Sequence, residues 1–165
     1  MTRAVLAIFL MSLTASAQQP AQTDHAHHAG VTSRGDEAMG FSHATTTHHF
    51  RLYKDGGAIE VAANDPQDTD NRDMIRMHLS HIAQMFAAGN FNTPMFIHAT
   101  NPPGVPVMKK LRSQIHYEYQ DTASGGRLRI QTTNPKAVSA VHDFLRFQIE
   151  DHRTGDSAKV AEPAH

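Results

Sequence analysis

The chain is expected to fold as an α+β domain, in which a duplicated ββα unit forms a four-stranded antiparallel sheet with two helices on one face. Three observations lead there. Residues 46–53 and 58–63 alternate polar and apolar side chains around Asp55-Gly56-Gly57, and residues 115–120 and 128–132 do the same around Gly125-Gly126. Each hairpin is followed by an Asp-Pro or Asn-Pro dipeptide, Asp65-Pro66 and Asn134-Pro135, and then by apolar residues at helical spacing. The shared plan repeats over units of about 45–89 and 113–152, and two such units bury their apolar faces as a two-layer sandwich.

Arg3, the apolar run Ala4 to Leu13 and the small residues Ala15-Ser16-Ala17 have the form of a signal peptide over 1–17, cut before Gln18. The mature protein is therefore expected in the periplasm or outside the cell. The apolar run is too short for a membrane span, and none is expected elsewhere. Residues 18–37 are polar and interrupted by Pro20, Gly30 and Gly35, which predicts a flexible arm carrying His25, His27 and His28. Met39 to His43 is the entry to a single domain over 38–152.

In the first hairpin, Thr46, His48, Phe50 and Leu52 share a face with Ile59 and Val61, so His48 points inward and His49 outward. With Asp55-Gly56 at the tip, Arg51 is expected opposite Glu60. A helix starts between Pro66 and Asp70 and ends at Gly89. Residues 90–112, rich in proline, form a long irregular loop with Met95 and His98. The second helix runs from Asn134-Pro135 to about His152, and 153–165 is a polar tail.

The first helix carries the unusual chemistry. Wound at about 100° per residue, Ile75, Leu79, Ile82 and Phe86 make an ordinary aliphatic stripe. Beside it Met74, Met77, His78, His81 and Met85 fall within an arc of about 100°, a ridge of thioethers and imidazoles. The second helix is an internal control: Val138, Val141, Leu145 and Ile149 form its stripe, with His142 at the margin and no methionine. The ridge is thus not demanded by the fold plan. Phe144 and Phe147 lie away from that stripe and would pack under the long loop or form a homodimer contact.

Composition narrows the chemistry. The chain is 39% hydrophobic and 19% charged with a net charge of −1, which excludes a nucleic-acid surface of the basic type. It has no cysteine but 13 His and 8 Met, so any metal site relies on imidazole and thioether. Copper, held as Cu(I) by His48, Met74, Met77, His78, His81, Met85, Met95 and His98, is the expected cofactor, with a delivery protein as partner. Ordinary core packing of the same residues is the competing reading. Zinc on His48, His78 and His81, with Glu60 or Asp73 as base, would make a small hydrolase. Non-covalent haem is a third possibility, since no Cys-x-x-Cys-His motif is present. A secreted interaction module without metal is a fourth. No His-Glu-x-x-His, Gly-x-Ser-x-Gly or phosphate-loop motif occurs.

Met39-Gly40-Phe41, Thr47-His48-His49-Phe50-Arg51-Leu52, Asp55 to Val61 and Arg76-Met77-His78-Leu79-Ser80-His81-Ile82 together resemble a group of small secreted bacterial proteins. The resemblance covers Arg34 to His152 and implies export and one compact domain; it supplies no catalytic residues. The name aspartate carbamoyltransferase is sometimes attached to such chains. Those enzymes use a Ser-Thr-Arg-Thr-Arg phosphate loop, and the nearest text here is Thr32-Ser33-Arg34-Gly35, in the arm.

Overall fold

The computed structural model describes residues 20–161, so the expected signal peptide lies outside the described residues. The chain runs α1 (Pro20–Met39), β1 (Thr46–Tyr53), β2 (Gly56–Ala63), α2 (Thr69–Ala87), α3 (Asn92–His98), α4 (Val105–Lys110), β3 (His116–Thr122), β4 (Gly125–Gln131) and α5 (Pro135–Asp151). The four strands form one antiparallel sheet in the order β1-β2-β4-β3, so the two hairpins meet through their return strands. Helix α2 crosses to lie over β3 and β4 of the second unit, and α5 lies over β1 and β2 of the first. The expected α+β duplication is therefore present, with its helices exchanged between units. No described helix is long and apolar enough to cross a membrane.

Strand parity is as expected, but the pairing register of the first hairpin is shifted by two residues. Its tip is Lys54-Asp55, with Tyr53 opposite Gly56 and Arg51 opposite Ala58, not Glu60. Gly56 belongs to the strand because β4 passes close to it: its φ is +136°, and a Cβ there would lie 2.2 Å from the Ile130 carbonyl oxygen. Arg51 still reaches Glu60 diagonally at 3.9 Å, and Arg127 pairs with the same carboxylate at 2.8 Å. Asp55 is used instead by Arg129 and Gln131 across the sheet.

Helices α2 and α5 both begin on side-chain caps. Asp68 accepts from the Asn71 amide and starts α2, three residues beyond Asp65; Asn134 accepts from Lys136 and Ala137 and starts α5. Between sheet and helices, Phe50, Leu52, Val61, Ile75, Leu79, Leu128, Ile130, Val141 and Leu145 are buried. Burying one such side chain stabilises the fold by roughly 1.5–3 kcal/mol. His142 is a core histidine, its Nε2 2.8 Å from the Tyr53 carbonyl and 3.1 Å from that of Gly56, so it ties α5 to the hairpin.

Two sequence expectations are corrected here, and a third is narrowed. The long segment is not irregular: Pro94 lies in the first turn of α3 and Pro106 in that of α4, positions where a missing N–H costs nothing. Phe144 is 1% exposed, edge-on to Phe86 and Phe91, and Phe147 lies edge-on to His98. Phe144 is therefore packed internally, as the first of its two expected placements has it, and Phe147 is half-buried against His98. The arm is helical: from Asp24 onward, α1 buries Val31 and Gly35, and Arg34 Nε donates to the Phe96 and Ile97 carbonyls at 3.0 and 2.7 Å.

The polar tail is partly anchored. Asp156 accepts from the Phe50 amide at 2.9 Å, His49 at 2.9 Å and Arg51 at 3.0 Å, and the Ala161 amide donates to the Leu52 carbonyl at 2.8 Å. These bonds cover the free edge of β1, which is otherwise open to pairing with another chain.

Candidate functional site

Inward-facing His48 stands where two cavities meet. The inner chamber, about 70 Å³, lies between the sheet, α2, α3 and α5 and is walled mainly by aliphatic and aromatic side chains. The outer chamber, about 220 Å³, opens under α1 and is lined by His28, His43, Thr32, Thr46, Thr47 and Thr154. Met39, His48 and His152 line both, so they form the neck between them.

Each neck residue is delivered by a different element. Met39 ends α1, His48 is the third residue of β1, and His152 caps the C-terminus of α5, followed by Arg153 in the left-handed region at φ 53°. The rings of His48 and His152 have centres 6.2 Å apart and planes within 7°. Phe41 lies 6.3 Å from His48, and Phe50 5.6 Å from His152. His48 Nε2 is buried without a hydrogen-bond partner. Such an orphan costs about 1–3 kcal/mol and calls for an explanation.

Two more histidines stand beside the neck. His78, from α2, packs edge-on to Phe41 at 5.7 Å and lines the inner chamber. His98 ends α3 and is 1% exposed, 5.0 Å from the ring of His152. Its Nδ1 meets Asp151 Oδ2 at 2.5 Å and its Nε2 meets Gln148 Oε1 at 2.9 Å. Burial works against charge on Asp151, but hydrogen bonds from His98 and from His27, at 2.7 Å, outweigh it and hold the carboxyl below its usual range.

Burial pushes His48 and His78 down to about 4 and His152 down to about 3, and neighbouring imidazoles add to each shift. All three are therefore neutral at neutral pH, with a lone pair free to bind a metal or accept a proton. His98 and His152 also sit at helix C-termini, whose exposed carbonyls favour positive charge.

Of the eight ligands expected from sequence, His48, His78 and His98 line the inner chamber, and the other five line neither chamber. Met77 is 69% exposed and His81 is also exposed, because the ridge turns away from the core at that point of α2. Met74 packs at the core margin, Met85 is half-buried, and the Met95 sulfur lies 3.8 Å from Lys109 Nζ. The zinc set His48, His78 and His81 is thus not assembled. Among the described residues no group of three or more His, Asp or Glu has metal-binding spacing. Glu60 lies on the far face of the sheet with Arg127, and Asp73 is exposed beside Arg72, so neither expected base reaches the neck.

Met39 and His152 were not singled out from the sequence as ligands. Met39 read as the entry to the domain and His152 as a helix end, and neither position has a periodic signal. No protein-family model, curated protein or solved structure matches the chain.

Proposed function

We propose that the protein binds one copper ion, as Cu(I), at the neck between the two chambers, through imidazole nitrogens of His48 and His152 and the thioether of Met39. The observation that carries this reading is that those three side chains line both chambers and that the Nε2 of His48 is buried there without a partner. Two imidazoles bound on opposite sides of one ion, each through a nitrogen about 2 Å from it, have ring centres about 6 Å apart. The 6.2 Å separation of His48 and His152 agrees with that arrangement.

The donor set favours copper over its rivals. Thioether and neutral imidazole suit Cu(I), whereas zinc sites of three or four protein ligands draw on thiolate, carboxylate or further imidazole. Both chambers are smaller than the roughly 300–1,000 Å³ of pockets for drug-sized ligands, which favours a bare ion over haem. With export inferred from Arg3 to Ala17, the protein stores, delivers or detoxifies copper in the periplasm. A delivery partner would dock where α1 covers the outer chamber.

A competition titration of the chain from Gln18 with a chromophoric Cu(I) chelator tests the proposal. The wild type should withdraw one equivalent; His48→Ala and His152→Ala should lose that stoichiometry, and Met39→Leu should weaken it by at least about tenfold. Met77→Ala with His81→Ala should leave it unchanged. Full retention in the His48 and His152 variants would refute the site.

A further inference from the structure

The sheet has two edges, and the chain treats them differently. In the first hairpin Tyr53 and Gly56 close a two-residue loop, so Tyr53, Arg51 and His49 exchange hydrogen bonds with β2 while the alternate residues turn their backbone groups outward. The tail takes those outward groups: Asp156 accepts from the Phe50 amide, and the Ala161 amide donates to the Leu52 carbonyl. The second hairpin follows the same rule. Thr122 and Gly125 close its loop, so Thr122, Gln120, Glu118 and His116 bond to β4, and the amides and carbonyls of Tyr117, Tyr119 and Asp121 face outward. The same alternation holds on the other side of β4, where the Ala63 amide donates to the Ser124 carbonyl and the Thr132 amide to that of Asp55. Among the described residues nothing outside the sheet bonds to these outward groups of β3. The strand also lacks proline, lysine and bulges, devices that stop an edge from pairing.

We propose that β3 pairs antiparallel with β3 of a second copy of this chain, about a two-fold axis at Tyr119, so that the two sheets become one. The strand is complementary to itself in that register. The outward groups of Tyr117, Tyr119 and Asp121 meet those of Asp121, Tyr119 and Tyr117 of the second copy, and each free donor finds an acceptor. Residues directly opposite in an antiparallel pair share a face. On the solvent face Glu118 therefore stands opposite Gln120 of the second copy, and His116 opposite Thr122. That sets a carboxylate against an amide, the contact that Gln120 Nε2 already makes with Glu118 within its own strand at 3.0 Å. The other carboxylate, Asp121, is neutralised locally by Arg76, at 3.6 Å, and accepts from the Tyr119 hydroxyl. An axis at Glu118 would instead oppose two Glu118 carboxylates, and an axis nearer either end leaves outward groups unpaired. Two seven-residue strands form an interface below roughly 1,200 Å², so the dimer is reversible, with a Kd of about 1–100 µM. The proposal is independent of the copper reading.

Sedimentation velocity of the chain from Gln18, from about 1 to about 500 µM, tests the pairing. The wild type should pass from monomer to dimer over that range. Gln120 is exposed, so its variants leave the core intact. Gln120→Glu, which sets a carboxylate opposite Glu118 on both sides of the axis, should raise the Kd by about threefold or more, and Gln120→Lys should lower it. Tyr119→Pro removes the central outward amide without touching a bond to β4 and should abolish the dimer. Circular dichroism checks that this variant folds, and if it does not, the two Gln120 variants decide. A wild type that stays monomeric up to about 500 µM would overturn the proposal. A dimer whose Kd moves in the same direction in both Gln120 variants, or in neither, would overturn it as well, because its interface then lies elsewhere.

Discussion

His48, His78 and His152 are histidines that the fold holds neutral, and that has a consequence for stability. Their folded-state values of about 4, 4 and 3 lie below the ordinary 6.5, so between those limits the unfolded chain binds more protons than the folded one. Stability of the metal-free protein is therefore independent of these groups above pH 6.5 and falls as pH drops from 6.5 towards 4. Each group contributes a slope of up to about 1.4 kcal/mol per pH unit. Urea melts of the metal-free protein at pH 7 and pH 5 should show a lower midpoint at pH 5. The difference should shrink in His78→Phe; an equal difference in wild type and variant would show that burial of His78 does not drive it.

Residue by residue, legibility in the sequence was uneven. The inward direction of His48 followed from strand parity alone, because a period of two leaves no choice once Phe50 and Leu52 face the core. The Met/His ridge was legible as an arc, but an arc does not say which neighbour it meets. Its outer part, Met77 and His81, meets solvent. Met39 and His152 each end a helix, and only the folded chain brings them to the chambers that His48 also lines.

Among the elements, α1 is the cover of the outer chamber, and it packs mainly on α3. Among the residues whose burial is described, Val31 is its one fully buried large side chain, and much of its hold is polar: His27 to Asp151, Arg153 to Asp24 at 2.6 Å, and Arg34 to two carbonyls of α3. Such segments open at low free energy. Amide hydrogen exchange should be faster in α1 than in α2 or α5, and Val31→Asp should raise α1 exchange without changing the other two. Uniform protection across the three helices would contradict this. The sequence read α1 as a flexible arm because its composition is polar and it carries two glycines; its anchoring groups lie in α3 and α5, far along the chain.

The segment before α4 shows the opposite behaviour, since it looked irregular and is tightly fixed. Gly104 has φ +81°, and a Cβ there would lie 2.0 Å from the Ala140 carbonyl oxygen of α5. Both the conformation and the contact exclude a side chain. Gly104→Ala should cost more than about 2 kcal/mol in chemical denaturation, and a change below 1 kcal/mol would mean that α4 can move away from α5 freely. Turn and cap signals made the hairpins and long helices legible. The short helices were hidden because prolines that break a long helix also start a short one.

At the scale of the molecule, duplication creates the site by exchanging helices between the two units. Helix α5 of the second unit brings His152, Gln148 and Asp151 over the first hairpin, where His48 waits, and α2 of the first unit brings His78 to the same chamber. The repeat was legible; the exchange was not, because strand order and helix crossing are decided by contacts between units. The central claim is that copper sits at the neck on two nitrogens and one sulfur. X-ray absorption at the copper edge of the Cu(I)-loaded protein tests it most directly. The account predicts a three-coordinate Cu(I) spectrum with a sulfur shell that disappears in Met39→Leu and imidazole scattering that is lost in His48→Ala. A spectrum with no sulfur shell, or one unchanged by both substitutions, would contradict it.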